Sequence, residues 1–333
     1  MIVDVEDERE LIEQVLIRHG VPGPVAATQA EVLVEGDLRG QHSHGLQRLP
    51  VLVERLRRHL IDPHARPRFC WHSPAFALVD GRRGFGPAVG FEVVDALLER
   101  QVPVAVAAVR GSNHLGMLAP YVERVAAAGA IGIVLTTSEA LVHPWGGRRA
   151  MVGTNPIGVG VPTGGPPFVL DMSTGAISRG KVLGHALAGK ALEPGWAVDA
   201  DGEPTTDARR AVDGAVSPFG GPKGYALGLA LELVVAACTG TETGERVLGT
   251  LDGEHPSTKG DLFVVLRPSG PGHDDFASRM GAYLDEIRHS PRATGAGRID
   301  VPGDRARRRR AERQRAGVPI DDEVWKAAQE LMT

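Results

Sequence analysis

The stretch RGQHSHGLQRLP, residues 39–50, combines histidines and arginines where a helix is expected to begin. His44 and Arg48 lie four residues apart, a spacing that brings side chains together on one helix face. A helix start attracts anions through its unpaired N–H groups, and a guanidinium can hold a carboxylate through two hydrogen bonds. The pair indicates a site for a small carboxylic acid. A helix capped by Ser43, with both side chains solvated, is the alternative that spacing leaves open.

A second cluster, VRGSNHLG, follows the apolar run VPVAVAAV. Loops at the carboxyl ends of sheet strands are where open α/β sheets bind ligands. Asn113 supplies hydrogen-bond donors there, and the imidazole of His114 has an ordinary pKa of about 6.5, which suits proton transfer. The alternative is an ordinary polar loop.

Two further segments have residues suited to a cofactor. In FVLDMSTGAISRGK, residues 168–181, Asp171 ends an apolar strand and could hold a ribose hydroxyl, while Ser173 could donate to a phosphate at the following helix start. In FGGPKGYALGLALEL, Lys223 lies in the glycine-rich entry to an apolar helix and could pair with a phosphate or a substrate oxygen. A strand-end acid and an exposed lysine are the alternatives.

The elements that must position these residues change in type along the chain. The first sixty residues and the last thirty show helical periodicity, and short β-type runs alternate with helices between them. This rhythm predicts an α/β or α+β fold in which one face of a sheet is covered by helices. It also predicts that residues 1–74 and 300–333 pack together as a helical domain around a sheet-containing region over 75–299.

Composition limits the partners and the location. The chain has 333 residues, a formal net charge of −4 and a pI near 6.3, which argues against nucleic acid or an anionic membrane as a partner. No secretory signal and no apolar run of about 18 residues is apparent, so a cytoplasmic protein is expected. The histidines lack the spacing and the partners of a metal site, so no metal is expected.

The usual dinucleotide-binding fingerprint, G-x-G-x-x-G between a strand and a helix, is absent from the sequence. The ordered motifs nevertheless resemble those of the type 2 malate/L-lactate dehydrogenase family of NAD(P)-dependent oxidoreductases. The resemblance runs through nearly the whole chain and includes DLRGQHSHGLQRLP, RGSNHLG, PWGGRRAMVGTNPIGVGVPT, FVLDMSTGAISRGK, PFGGPKGYALGLALEL and VPGDRARRRRAERQRAGVPI. It departs from the family in KGDLFVVLRP, where relatives tend to show Gly–His at Asp261–Leu262.

The resemblance implies a non-Rossmann nicotinamide-binding fold, usually in a homodimer, with NAD or NADP as the cofactor. It assigns catalytic roles to His44, His114 and Arg48, and either histidine is a candidate for the acid/base. Substrate contacts are expected at Ser43, Arg48, Asn113 and Asn155. Cofactor contacts are expected at Ser138, Asp171, Met172, Ser173, Lys223, Pro302, Gly303 and Asp304.

The implied reaction is hydride transfer between the nicotinamide and a small 2-oxo or 2-hydroxy acid, with an imidazolium protonating the developing alkoxide. Reduction of a cyclic imino acid, of the piperideine- or pyrroline-2-carboxylate type, is the alternative reaction. A binding protein on the same fold, without catalysis, is the third hypothesis.

Overall fold

The computed structural model describes residues 1–269 and 275–332, which form eleven α-helices and fourteen strands. The helices are α1 Val5–Arg18, α2 Gly23–Leu38, α3 Leu49–Arg57, α4 Gly86–Leu98, α5 Ala119–Ala127, α6 Arg179–Leu187, α7 Ala208–Val212, α8 Pro222–Thr239, α9 Phe276–His289, α10 Asp304–Ala316 and α11 Asp322–Glu330. The strands are β1 Ile2–Val3, β2 Arg68–Ser73, β3 Phe76–Asp80, β4 Val104–Arg110, β5 Ile131–Thr136, β6 Ala140–Val142, β7 Val152–Gly153, β8 Ile157–Val161, β9 Phe168–Met172, β10 Ala197–Val198, β11 Pro204–Thr205, β12 Ala215–Val216, β13 Gly260–Leu266 and β14 Val318–Pro319.

The main sheet has seven strands in the order β2-β3-β4-β13-β5-β8-β9. Within it β3 and β4 are parallel, and the other neighbouring strands run antiparallel. Successive residues of β13 point to opposite faces. Phe263 packs with α4 and α5, whereas Leu262 packs with α8. Helices therefore cover both faces of the sheet, and the expectation of one covered face was wrong. The sequence shows that α8 is largely apolar, but it does not show on which face of the sheet α8 packs.

A second sheet of five short strands, in the order β11-β10-β12-β6-β7, packs with α6 and α7. All of its strands have two or three residues. Such short runs show no alternation that a sequence pattern could reveal, so this sheet was not predicted.

The two ends of the chain meet. Strand β1 pairs with β14, and Val3, Leu16 and Val318 belong to one apolar cluster with residues of α2 and α3. The cluster also contains Leu46 and Leu49, so the packing of both ends supports the segment that carries His44 and Arg48. The exact division into domains remains a prediction.

The segment that carries His44 and Arg48 is not the start of a continuous helix, although a helix was expected to begin within residues 39–50. Residues 42–44 and 46–48 form two short 3-10 turns, and α3 runs only from Leu49 to Arg57. Leu60 lies beyond its end, after His59 adopts a positive φ of 57°. None of the described helices is both long enough and apolar enough to cross a membrane.

Candidate active site

A cavity of about 710 Å³ brings together segments from both ends and the middle of the chain. Its walls come from the two 3-10 turns before α3, the loop entering α5, the end of β5, the β9–α6 connection, the segment before β13 and the turn before α10. Of the residues predicted from the sequence, the cavity is lined by Ser43, His44, Arg48, His114, Ser138, Asp171, Met172, Ser173, Pro302 and Gly303.

The turns that carry His44 and Arg48 are held by a buried carboxylate, Asp37, at the end of α2. Its Oδ1 lies 2.5 Å from His42 Nδ1, and its Oδ2 accepts a hydrogen bond from the backbone N–H of Leu46 at 2.6 Å. Gly45 packs directly against this carboxylate, where a Cβ atom would lie 1.9 Å from Oδ2. Asp37 therefore takes the capping role that the sequence offered to Ser43, whose hydroxyl instead lies 3.0 Å from His44 Nδ1.

A second carboxyl group, Glu8 of α1, lies buried beside Asp37. No described donor reaches either of its carboxyl oxygens. Burial, followed by the negative charge of Asp37, raises the pKa of Glu8 well above its usual range. Glu8 therefore favours its neutral form at pH 7, and Asp37 is the carboxyl group that holds the turns carrying His44 and Arg48.

Arg48 is enclosed by protein and reaches the cavity. Its guanidinium donates to the backbone carbonyl of Thr250 at 2.6 Å. Glu139 holds that segment by accepting from the N–H groups of Thr250 at 2.7 Å and Leu251 at 2.9 Å. Burial and the nearby cation Arg55 lower the pKa of Arg48 to about 10, so the guanidinium remains charged at neutral pH. An anion in the cavity would relieve this excess of positive charge.

His44 and His114 face each other with ring centroids 5.5 Å apart. Burial and the charge of Arg48 lower the pKa of His44 to about 4, and the same two causes hold the pKa of His114 well below its usual value. The backbone N–H of Gly116 donates to His114 Nδ1 at 3.0 Å, so a neutral ring carries its hydrogen on Nε2. The imidazolium expected from the sequence is therefore not the resting state of the cavity.

Lys259 was missed by sequence reasoning and also lines the cavity. Its ammonium lies 2.5 Å and 2.6 Å from the two carboxylate oxygens of Asp261 and 3.1 Å from Ser112 Oγ. The signal in the sequence was a charged pair, Lys259 and Asp261, at the start of the apolar run of β13. That signal is weak, because charged residues commonly flank strands, and only the fold brings Ser112 to them.

Asp171 and Ser138 line the part of the cavity predicted to hold a cofactor. Asp171 Oδ2 accepts hydrogen bonds from the backbone N–H groups of Leu118 and Ala119, both at 2.8 Å. Burial raises the pKa of Asp171, although these two donors act in the opposite direction. One carboxylate oxygen thus secures the start of α5. Ser138 Oγ lies 3.1 Å from Thr154 Oγ1 and is held at the cavity wall.

Two predicted substrate contacts, Asn113 and Asn155, lie behind the wall rather than on it. Asn113 Oδ1 accepts from Arg55 at 2.9 Å, and its amide donates to the carbonyls of Arg83 and Gly84. Asn155 donates to Glu232 Oε2 at 2.7 Å and accepts from the N–H of Ser138 at 3.3 Å. Their polar groups are used to fix the loops that carry His114 and Ser138.

Two predicted cofactor contacts also lie off the cavity wall. Lys223 is exposed in the first turn of α8. The carboxylate of Asp304 pairs with Arg288 and Arg307, with its oxygens 2.9 Å from Arg288 Nε and 2.5 Å from Arg307 Nη2. It supports the turn of Pro302 and Gly303 at the start of α10. No group of three His, Cys, Asp or Glu residues in 1–269 and 275–332 is arranged to hold a metal ion.

The chain is similar to known dehydrogenases and reductases over its whole length. The sequence model of the family described as malate/L-lactate dehydrogenase matches residues 3–329. The L-sulfolactate dehydrogenase of Methanocaldococcus jannaschii is 39% identical over 335 residues, covering 99% of this chain and 96% of that protein. Delta(1)-pyrroline-2-carboxylate reductase 1 of Burkholderia ambifaria is 37% identical over 273 residues, covering 80% of each protein. A solved dehydrogenase structure from Sinorhizobium meliloti has a TM-score of 0.96 at 44% identity, covering 100% of this chain and 98% of that one.

The neutral state of Glu8 predicts how the stability of the fold depends on pH. Folded Glu8 keeps its proton at pH values where the unfolded side chain, with an ordinary pKa of about 4.3, has lost it. The folded state then binds more protons, so Glu8 makes the fold less stable as pH rises, by roughly 1.4 kcal/mol per pH unit. Glu8→Gln should remove this dependence and increase the free energy of unfolding, with a gain that grows between pH 5 and pH 7.

Urea denaturation of wild type and Glu8→Gln at several pH values measures this difference. Glu10→Gln, on an exposed position of the same helix, is the matched control and should give no pH-dependent gain. A Glu8→Gln protein that is less stable than wild type across this range would contradict the assignment of a neutral Glu8.

Proposed function

Since this chain belongs to the malate/L-lactate dehydrogenase family, we propose that it is an NAD(P)-dependent oxidoreductase that interconverts a small 2-oxo acid and its 2-hydroxy acid. The family consists of oxidoreductases, and this chain is one of them. The observation that carries the choice of substrate class is the buried guanidinium of Arg48, which faces the cavity beside two neutral imidazoles. Among the described residues no carboxylate pairs directly with Arg48, and the carboxylate of a substrate would fill that role.

The donor set of the cavity fits a nicotinamide dinucleotide. Apolar side chains such as Leu118, Met172 and Ile177 can cover the flat rings, and the hydroxyls of Ser138 and Ser173 can donate to ribose or phosphate oxygens. The start of α10 near Gly303 offers a further group of backbone N–H donors. We propose that these residues hold the cofactor on a fold other than the Rossmann fold, because the strands of the main sheet are mostly antiparallel.

The residues of the chain position the substrate for reaction. Arg48 would bind its carboxylate through two hydrogen bonds and so fix the orientation of C2. His114, through its Nε2–H, and His44 would then face the oxygen on C2, where negative charge develops during reduction. When bound, the nicotinamide supplies or accepts a hydride at C2. The cavity walls exclude water from this carbon and strengthen each of these electrostatic contacts.

A cyclic imino acid is the second candidate substrate, supported by the similarity to a pyrroline-2-carboxylate reductase. Its carboxylate would bind Arg48 in the same way. Its nitrogen already carries a proton in the iminium form, so reduction would need less help from an acid in the cavity. A binding protein without catalysis is less well supported, because Arg48, both histidines and Asp171 all line one cavity.

A substrate panel tests the proposed reaction. Purified protein should oxidise NADH or NADPH in the presence of oxaloacetate, pyruvate or sulfopyruvate, followed by the absorbance of the reduced nicotinamide. The proposed function predicts a higher kcat/KM for one of these 2-oxo acids than for Δ1-pyrroline- or Δ1-piperideine-2-carboxylate. A higher kcat/KM for one of these cyclic imines would favour the cyclic imino acid over the 2-oxo acid as the substrate. Failure of both NADH and NADPH to bind would favour the binding-protein hypothesis.

Arg48→Lys should weaken substrate binding more than cofactor binding. Lysine keeps the positive charge but cannot make the planar two-point contact with a carboxylate. We expect KM for the preferred acid to rise by roughly ten-fold or more, which corresponds to the loss of one charge-assisted hydrogen bond of about 1.5–3 kcal/mol. The dissociation constant of NADH, measured by fluorescence, should stay within about two-fold, and an equal loss of both affinities would contradict a specific carboxylate contact.

We also propose that the protein works as a homodimer in the cytoplasm. After Lys223, helix α8 exposes an uncharged face in the single chain, with Leu227, Leu233 and Val234 at 38%, 56% and 46% exposure. A continuous exposed apolar face of this kind supports burial against a second copy. Cys70 and Cys238 are both free, which agrees with a reducing compartment.

Leu233→Glu should weaken the dimer. The substitution places a charge in the middle of the α8 face, where burial against a second copy would remove its water. Size-exclusion chromatography with light scattering should show a dimer for wild type at micromolar concentration and a shift toward monomer for the variant. Leu187→Glu, at an 88% exposed leucine of α6, is the matched control and should remain dimeric. A dimer that persists in Leu233→Glu would place the interface elsewhere.

A further inference from the structure

Lys259 is unusual among the cations of this chain. The sequence has only five lysines among its 37 basic residues, and the other four lysines, at positions 181, 190, 223 and 326, are exposed. Lys259 is buried, with 2% of its side chain exposed, yet it reaches the wall of the cavity that contains His44, His114 and Arg48. A buried lysine is costly unless its charge is paired or its proton is used.

The surroundings of Lys259 hold its ammonium in one place. It precedes β13, which is hydrogen-bonded to β4 and β5 in the middle of the main sheet. The N–H of Gly260, the next residue, donates to Thr137 Oγ1 at 3.0 Å. The ammonium contacts both oxygens of Asp261 and the hydroxyl of Ser112, which itself donates to Asp261 Oδ2 at 2.6 Å. Rigid strands and a satisfied polar network leave little freedom for this side chain.

The cavity needs a group that can give up a proton. Both histidines rest in the neutral state, and His114 Nδ1 is occupied by the N–H of Gly116, so its remaining hydrogen on Nε2 can form a hydrogen bond but is not acidic. Arg48 cannot serve, because a guanidinium does not release its proton in the working range of an enzyme. Lys259 lies on the wall of the same cavity, and its ammonium donates to the hydroxyl of Ser112, two residues before His114.

We propose that Lys259 is a further catalytic residue, whose ammonium carries the proton that reaches the C2 oxygen of the substrate, and that Asp261 and Ser112 position it. The proposal rests on the proposed function. In reduction, a hydride from the reduced nicotinamide brings two electrons to C2, the Nζ–H bond breaks, and an O–H bond forms at the C2 oxygen. Lys259 is left as a neutral amine that regains a proton from water. In oxidation the amine accepts the hydroxyl proton.

The charges around Lys259 agree with this role. Burial lowers the pKa of Lys259, and the adjacent Asp261 carboxylate opposes the shift. Arg48, Lys259 and Arg55 lie close enough to His114 for their positive charges to lower its pKa. The hydroxyl of Tyr121 on α5 donates to the carbonyl of Leu115, and burial together with the charges of Asp261 and of Asp171 on β9 raises its pKa. An ammonium whose acidity is shifted toward neutrality is a better proton donor than an exposed one.

Lys259→Arg and Lys259→Met separate proton transfer from charge. Arginine keeps a cation beside Asp261 but does not release a proton, and methionine removes both. For each variant we expect kcat for 2-oxo acid reduction to fall by about 10²-fold or more, while the dissociation constant of NADH changes little. Lys259→Met leaves the buried carboxylate of Asp261 without its cation. If that variant does not fold, the double variant Lys259→Met/Asp261→Asn, which also removes the carboxylate charge, is measured in its place. Lys190→Met, at an exposed lysine, is the matched control.

The pH profile decides whether Lys259 donates the proton. Reduction by wild type needs the ammonium, so its kcat should fall as pH rises through the pKa of Lys259, and oxidation should show the opposite trend. This fall of kcat with rising pH should be absent from the residual activity of Lys259→Arg or of the double variant. In protein labelled with [ε-13C]lysine and free of cofactor, one of the five signals should titrate below the others and disappear in Lys259→Met.

If the Lys259 variants kept the same fall of kcat with rising pH, or a near-wild-type kcat, the proposal would be overturned. So would five lysine signals that all titrate in the ordinary range of exposed lysines. These results differ from a failure of the proposed function, in which wild-type protein itself turns over none of the 2-oxo acids.

Discussion

The site depends on the positive charge of Arg48, which faces the cavity and has no carboxylate partner among the described residues. Arg48 remains charged, and its proximity together with burial keeps the imidazoles of His44 and His114 neutral. The carboxylates near the site are directed elsewhere: Asp37 binds the turn before α3, and Glu139 binds the backbone at Thr250 and Leu251. The protein uses its acids to hold loops in place, and leaves the cation for an anionic substrate.

Much of the architecture could be predicted from the sequence because long periodic segments dominate it. The apolar run of β4, the helix α8 and the helical ends of the chain have patterns that one period explains. Most predicted site residues, among them His44 and Arg48, line the same cavity. They could be predicted because they lie in long motifs that follow one another in a characteristic order along the chain. The family resemblance that these motifs indicated agrees with the match of the family model to residues 3–329.

The remaining features depend on contacts between distant segments, which no local pattern contains. Asn113 was expected to contact the substrate because its amide can donate hydrogen bonds in a loop after a strand, and in the structure Arg55 and the carbonyl of Gly84 use its polar groups. Lys259 was not singled out by any local pattern, and it is brought to the cavity wall and to Ser112 by the position of β13 between β4 and β5. The neutral state of both histidines likewise depends on burial and on Arg48, which spacing in the sequence cannot measure.

A crystal structure of the protein with NADH and oxamate, an unreactive analogue of a 2-oxo acid, would show directly whether Arg48 binds the substrate carboxylate. We expect the oxamate carboxylate to form two hydrogen bonds with Arg48. We also expect the oxygen on the adjacent carbon to lie within about 3.2 Å of His114 Nε2 or Lys259 Nζ. A carboxylate bound away from Arg48, or an oxygen that faces neither group, would contradict the proposed role of this cavity.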